Sequence, residues 1–358
     1  MNTANALIGI FFTAVACLTP LAKQATAPKP PMTVAWQTEI ALEGQRHLAV
    51  GTRAVIVAGS ESGISAHAID DGHLLWHGST STNAQPVTIG RLVVVAVEGS
   101  LQALDQQTGQ EAWQITVGAT EASPPLSLSA TDNLLFASQG TSVTALRPDG
   151  SIAWQRALPS PLVTQIVRSG DVLLAGLQEP EMAAIDPGTG ATRWSVRLPA
   201  AATALAAVAD QVFVPTAKGE LFAYRVAAGG PKRMWRHRNR AVPAVGAPVV
   251  SEKRVFYALI DNTLKAFDRN GGTKVWTTPL ESRAVTGPIL VGGHVIVPLS
   301  SGALAQVPAA DGKLPEKPSA APVTTGRMGA HAVSNGSVYA IMTASNATTT
   351  LVAWRSEK

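Results

Sequence analysis

Apolar and polar positions alternate in short runs along almost the whole chain, and the runs are separated by glycine-bearing turns. Leu92-Val-Val-Val-Ala-Val97 and Arg254-Val-Phe-Tyr-Ala258 are strand-like, and each follows a shorter run, Pro86-Val-Thr-Ile89 and Pro248-Val-Val250. After the first such pair comes Ala103-Leu-Asp-Gln-Gln-Thr-Gly-Gln-Glu-Ala-Trp113, which reads as an outgoing strand, a tight turn and a returning strand. The Gly supplies positive φ, and Asp and Thr can bond the turn's backbone amides.

This stretch recurs. Ala184 to Trp194 keeps the Ala, Asp, Thr, Gly and Trp, and Ala266 to Trp276 exchanges only the Thr, for Gly271. Shorter or longer turns lead to Trp76, Trp154 and Trp235, and a seventh copy near Gln306 and Gly312 carries Glu316 where the Trp would stand. Trp36 to Trp276 is 240 residues in six intervals, or 40 each. Four strands per ~40–45 residues is the signature of a propeller blade.

Counting outgoing strands by their small residue gives Ala68, Ala103, Ala145, Ala184, Ala223, Ala266, Gln306 and Ala353, hence eight blades. The last copy ends within its outgoing strand at Lys358, and Thr33 to Ile40 resembles a returning strand. The fold expected is therefore all-β: an eight-bladed β-propeller of four-stranded blades over residues 33–358, its ring closed by the N-terminal strand. Trp36, Trp76, Trp113, Trp154, Trp194, Trp235 and Trp276 are expected to be structural docking residues, each burying ~150–250 Å².

Composition agrees, with 55 of 358 residues Gly or Pro and only 15% charged. The net charge of +4 is too mild to imply nucleic acid. Residues 1–16 carry the apolar run Ala6 to Ala16 and read as a signal peptide. The only cysteine, Cys17, follows Ala14-Val-Ala16 as in a bacterial lipobox, which would make it a lipidation site; ordinary cleavage with Cys17 incidental is the other reading. Residues 17–32, with Ala27-Pro-Lys-Pro-Pro31, read as an extended tether.

Two clusters invite chemistry. His67, His73 and His77 form a metal-like group in one dimension, but a two-residue turn at Asp71-Gly72 would pair residues 70 and 73 and place His67 on the other face from His73 and His77. Arg236, Arg238 and Arg240 alternate on a returning strand and project from one face. They either guard an exposed edge against pairing or form a partner-binding surface for an acidic protein or anionic lipid headgroups. No nucleophile–base pair or phosphate loop stands out, so no catalytic residue, metal or cofactor is assigned.

The A-x-D-x-x-T-G-x-x-x-W copies resemble the tryptophan-docking repeats of the pyrroloquinoline quinone (PQQ) type propellers, over about residues 33–358. Within that family the lipobox-like start, the strand Thr33 to Trp36 and the compact blades resemble the BamB branch of outer-membrane assembly lipoproteins. That resemblance implies a non-catalytic scaffold, lipid-anchored at the periplasmic face of the outer membrane, acting as one copy within a complex. Its partner would be an envelope protein such as the BamA-type β-barrel insertase, and its role to assist assembly of β-barrel proteins.

The alternatives are a PQQ-binding redox enzyme, an adaptor for another envelope partner, or a soluble periplasmic protein. Quinoprotein dehydrogenases are longer and usually carry a vicinal disulfide, which a single Cys excludes. The regular carboxylates Asp105, Asp186 and Asp268 are turn residues by position. Against the BamB pattern, Pro243-Ala-Val-Gly-Ala-Pro248 lacks the acidic residues of that branch's partner-binding loop.

Overall fold

A computed structural model describes residues 32–41, 44–97, 99–117, 126–131, 133–227, 229–238, 241–314, 326–334, 336–344 and 346–356. The described residues form strands and no helix, arranged as eight antiparallel sheets. Blade 1 is Arg46–Val50, Ala54–Gly59, Ile64–Ala68 and Leu74–Gly78, in that order from the inside outward. Blades 2 to 6 repeat it, and contacts between successive innermost strands carry the ring round. Blade 7 has three strands among the described residues, and residues 315–325 lie outside them. The expected eight-bladed propeller is the fold observed.

The position of each strand in its blade explains its pattern. Ala54–Gly59 and Val172–Leu177, second in their sheets, are packed on both faces and buried throughout, hence their continuous apolar runs. Outermost strands such as Glu111–Thr116 and Thr192–Arg197 are mostly exposed and therefore alternate. Among the described residues the core is divided into eight clusters, each wedged between two neighbouring blades. One joins Phe136, Val143 and Trp154 of blade 3 to Leu173, Leu177 and Ile185 of blade 4.

The repeated turn is a hairpin with a bulge. Asp105 Oδ1 accepts from the amides of Gln107 (3.0 Å) and Thr108 (3.1 Å), and Asp186 does the same for Gly188 (3.0 Å) and Thr189 (2.9 Å). The following Gly109 and Gly190 have φ of 70° and 72°. Each motif alanine stands directly across from its tryptophan, Ala103 from Trp113 and Ala184 from Trp194, so a small residue is needed there. In blade 1 that residue is Ala66, opposite Trp76, and not Ala68 as the turn count suggested.

The ring closes through the N-terminal strand. Met32–Glu39 pairs antiparallel with Thr349–Ser356 as the outermost strand of blade 8. Three side chains then latch the seam. Gln306, which replaces the motif alanine in blade 7, is buried and accepts from the Met32 amide (2.8 Å) while donating to the Met32 carbonyl (3.3 Å). On the other side the Ile69 carbonyl of blade 1 accepts from Trp36 Nε1 (3.0 Å) and from the Arg355 guanidinium, which also donates to the Asp70 carbonyl at 3.3 Å.

Candidate docking surface

The motif tryptophans are committed to the fold, each to the blade that follows it. Trp76 Nε1 donates to the Gln106 carbonyl (2.9 Å), Trp113 to Pro148 (2.9 Å), Trp154 to Pro187 (2.8 Å), Trp235 to Arg269 (2.9 Å) and Trp276 to Ala309 (3.3 Å). The rings lie on the turn glycines of those neighbours: a Cβ at Gly190 would stand 2.5 Å from Trp154 Cε3, and one at Gly109 would stand 2.7 Å from Trp76 Cδ2. Trp194 is half-buried and packs in the cluster between blades 4 and 5.

This arrangement does not fit the quinone and Ca²⁺ of the catalytic branch of the fold. The most regular carboxylates are consumed by their own turns, and Asp186 also holds Arg193 at 2.6 Å. The tryptophans lie in the wedges between blades, and the indoles of Trp36, Trp76, Trp113, Trp154, Trp235 and Trp276 are hydrogen-bonded to the neighbouring blade.

The histidine cluster is arranged differently from the expectation. Residues 70 and 73 do not pair: Ala68 N donates to the His73 carbonyl (2.8 Å), and the ladder resumes with Leu74 opposite His67 and His77 opposite Ser65. The extra residue is Leu75, unpaired between Leu74 and Trp76, and this bulge puts His77 opposite Ser65 and so on the face of His67. His67 is 4% exposed and both its ring nitrogens are engaged, with Ser65 Oγ at 3.1 Å and the Gly72 carbonyl at 3.2 Å. Ser65 is equally sealed, so no substrate reaches this Ser–His pair. His73 Nδ1 instead meets Asp71 at 2.6 Å on the surface.

Burial holds the pKa of four histidines, His47, His67, His237 and His331, below the ordinary imidazole value of 6.5. The unfolded chain therefore binds protons at these sites more readily than the folded one. Their contribution to stability is complete above about pH 6.5 and is lost as pH falls from there through the lower folded values. The turn carboxylates shift downward too, from 3.8, and act only in stronger acid. Denaturation midpoints measured at steps from pH 7.5 to 5 should fall, and replacing His67 by Gln should reduce the fall.

The cationic strand is Lys232–Arg238, outermost in blade 5. Arg236 and Arg238 face the same way, as expected, because both reach one carboxylate. Glu220 Oε1 on the adjacent strand takes an ion pair from Arg236 Nη2 and lies 3.5 Å from Arg238 Nε. Arg236 also lies over the Phe222 ring, 5.6 Å from its centroid. The sequence reading missed Glu220, although its place opposite Arg238 in the register is a signal that a strand alignment would have supplied. Arg240 and Cys17 lie outside the described residues.

Pro243-Ala-Val-Gly-Ala-Pro248 is committed to packing. Ala244 bridges Leu259, Val245 N donates to the Ala258 carbonyl (2.8 Å), and a Cβ at Gly246 would stand 2.4 Å from Gly287 N.

A sequence profile described as outer membrane protein assembly factor BamB matches residues 30–176 and 178–358, nearly the entire propeller. The chain belongs to the BamB family. A BamB of Burkholderia pseudomallei is 24% identical over 229 residues, 58% of this chain and 59% of that protein, so the chain spans little more than half the length of this relative. The crystal structure of BamB from Moraxella catarrhalis superposes with a TM-score of 0.70 at 18% identity, covering 91% of this chain and 98% of the other. A quinohemoprotein alcohol dehydrogenase of Pseudomonas putida HK5 has the same fold (TM-score 0.65, 13% identity), with 90% of this chain covering 76% of the enzyme. The fold is thus common to BamB proteins and to enzymes, and the family match is what separates them.

Proposed function

We propose that the protein is a non-catalytic docking scaffold of the BamB kind that assists assembly and insertion of outer-membrane β-barrel proteins through protein–protein contacts. The observation that carries this reading is the BamB profile running through both halves of the propeller. The commitment of the motif tryptophans and turn carboxylates to the fold supports it against a quinoprotein reading. In this proposal residues 1–16 are a signal peptide, Cys17 is lipidated, and residues 17–32, the last of which opens the closing strand, tether the propeller to the periplasmic face of the outer membrane. The β-barrel insertase of the BamA type is the partner.

The test is a pull-down of tagged full-length protein from detergent-solubilised envelopes, with bound proteins identified by mass spectrometry. Recovery of the insertase is the expected result, and its reproducible absence beside another partner would overturn the assembly role. Quinone-dependent dye reduction by the purified protein would overturn the non-catalytic reading.

A further inference from the structure

Among the described residues, the outermost strands of seven blades form two electrically different arcs. In blades 3, 4, 5 and 6 these strands carry one, two, four and one Lys or Arg and no carboxylate. In blades 8, 1 and 2 they carry no Lys or Arg, and their only carboxylates are Glu39 and Glu111. Repetition of a blade does not require this, since each outer strand has the same packing duty. A guard against edge pairing would be wanted equally all round the ring.

The basic arc is also prepared for a ligand. Glu220, only 12% exposed in its side chain, holds Arg236 and Arg238 together, and Phe222 supports Arg236 from beneath. The rotamer entropy of Arg236 is thereby lost before any partner arrives. Lys232, Arg233 and Lys274 are exposed and have no ion-pair partner among the described residues, so their charge is available. Apolar side chains lie exposed on the same strands, Ile152 at 54% and Val275 at 44%.

We propose that this arc is a docking surface for a carboxylate-rich polypeptide segment with interspersed apolar residues. The proposal deepens the scaffold reading and rests on it. The shape of the arc selects the partner class. Its cations span four successive blades of a convex wall, whereas a flat lipid surface lies against only the blades tangent to it, and screening over ~8–10 Å removes the rest. A polypeptide can follow the curve, place carboxylates on the guanidinium groups and cover Ile152 and Val275.

The experiment is fluorescence anisotropy of a labelled Glu/Val-rich peptide, and of its Gln/Val counterpart, with the folded protein. The Glu peptide should bind, the Gln peptide should bind at least about tenfold more weakly, and affinity should fall as salt is raised. The variant Lys232→Glu/Arg233→Glu/Lys274→Glu should lose at least about tenfold while keeping the wild-type thermal midpoint, because none of the three is ion-paired among the described residues. Glu111→Lys on the other arc should change nothing.

Equal binding of the two peptides, or undiminished binding by the triple variant, overturns the proposal. So does binding to phosphatidylglycerol vesicles without binding to the Glu peptide. Recovery of the insertase by the triple variant as by wild type would leave the scaffold role standing while removing this arc from it, which keeps the two failures distinguishable.

Discussion

Deleting residues 32–39 is expected to abolish the folded monomer. The deletion removes all pairing to Thr349–Ser356, strips Trp36 from its wedge against Tyr339 and Leu48, and withdraws Met32 from the cluster that holds Trp354. It also leaves Gln306 without its partner, since Gln306 bonds only the Met32 backbone among the described residues, and removes one of the two donors to the Ile69 carbonyl. A propeller opened at its seam exposes two blade faces and a long unpaired edge, which invites association between chains. Size-exclusion chromatography and circular dichroism should show aggregated or unfolded protein. A truncated monomer with the wild-type thermal midpoint would mean that the ring does not depend on this strand. Gln306→Ala is the milder version, costing about 1–3 kcal/mol for backbone groups left buried and unpaired.

The second large effect belongs to the contact between one blade's tryptophan and the next blade's glycine. Trp154 is 6% exposed, donates to the Pro187 carbonyl and lies against Phe136 with centroids 6.0 Å apart, so Trp154→Ala should cost about 3–5 kcal/mol. Gly190→Ala should cost about 2–4 kcal/mol, because its φ of 72° resists a side chain and the new Cβ meets Trp154. Gly90 separates the two causes. Its φ of 56° is also left-handed, yet a Cβ there meets nothing within 4 Å, so Gly90→Ala should cost only about 1–2 kcal/mol. Urea denaturation of the three variants and of the double variant tests this. The double variant should lose less than the sum of the singles, since both changes act on one contact. Equal losses at Gly90 and Gly190 would show that backbone strain alone sets the requirement for glycine.

Both halves of that contact were visible in the chain as a motif, but their partnership was not. Within Ala184 to Trp194, Gly190 and Trp194 look like members of one unit, four residues apart. In the fold Gly190 receives Trp154 of the preceding blade. Regular spacing guarantees that each glycine has a tryptophan one repeat earlier, but nothing local says that the two meet.

The candidate surface divides in the same way. That Arg236 and Arg238 share a face follows from strand alternation and was legible. That Glu220 gathers both was not, because the carboxylate lies sixteen residues from Arg236 on a neighbouring strand and takes its place from the hairpin register. The histidine faces were misjudged because a bulge at Leu75 adds one residue, and in a strand one residue reverses every side chain beyond it.

By itself the sequence determined the class of fold, the number of blades and the strand that closes the ring. Those depend on local alternation, turn chemistry and a repeat length, which act over tens of residues and are written along the chain. The tertiary structure decided which blade each tryptophan stabilises, why Gln306 displaces an alanine, and how cations from four separate repeats gather into one arc. These are relations between repeats, created when ring closure brings surfaces from distant parts of the chain side by side.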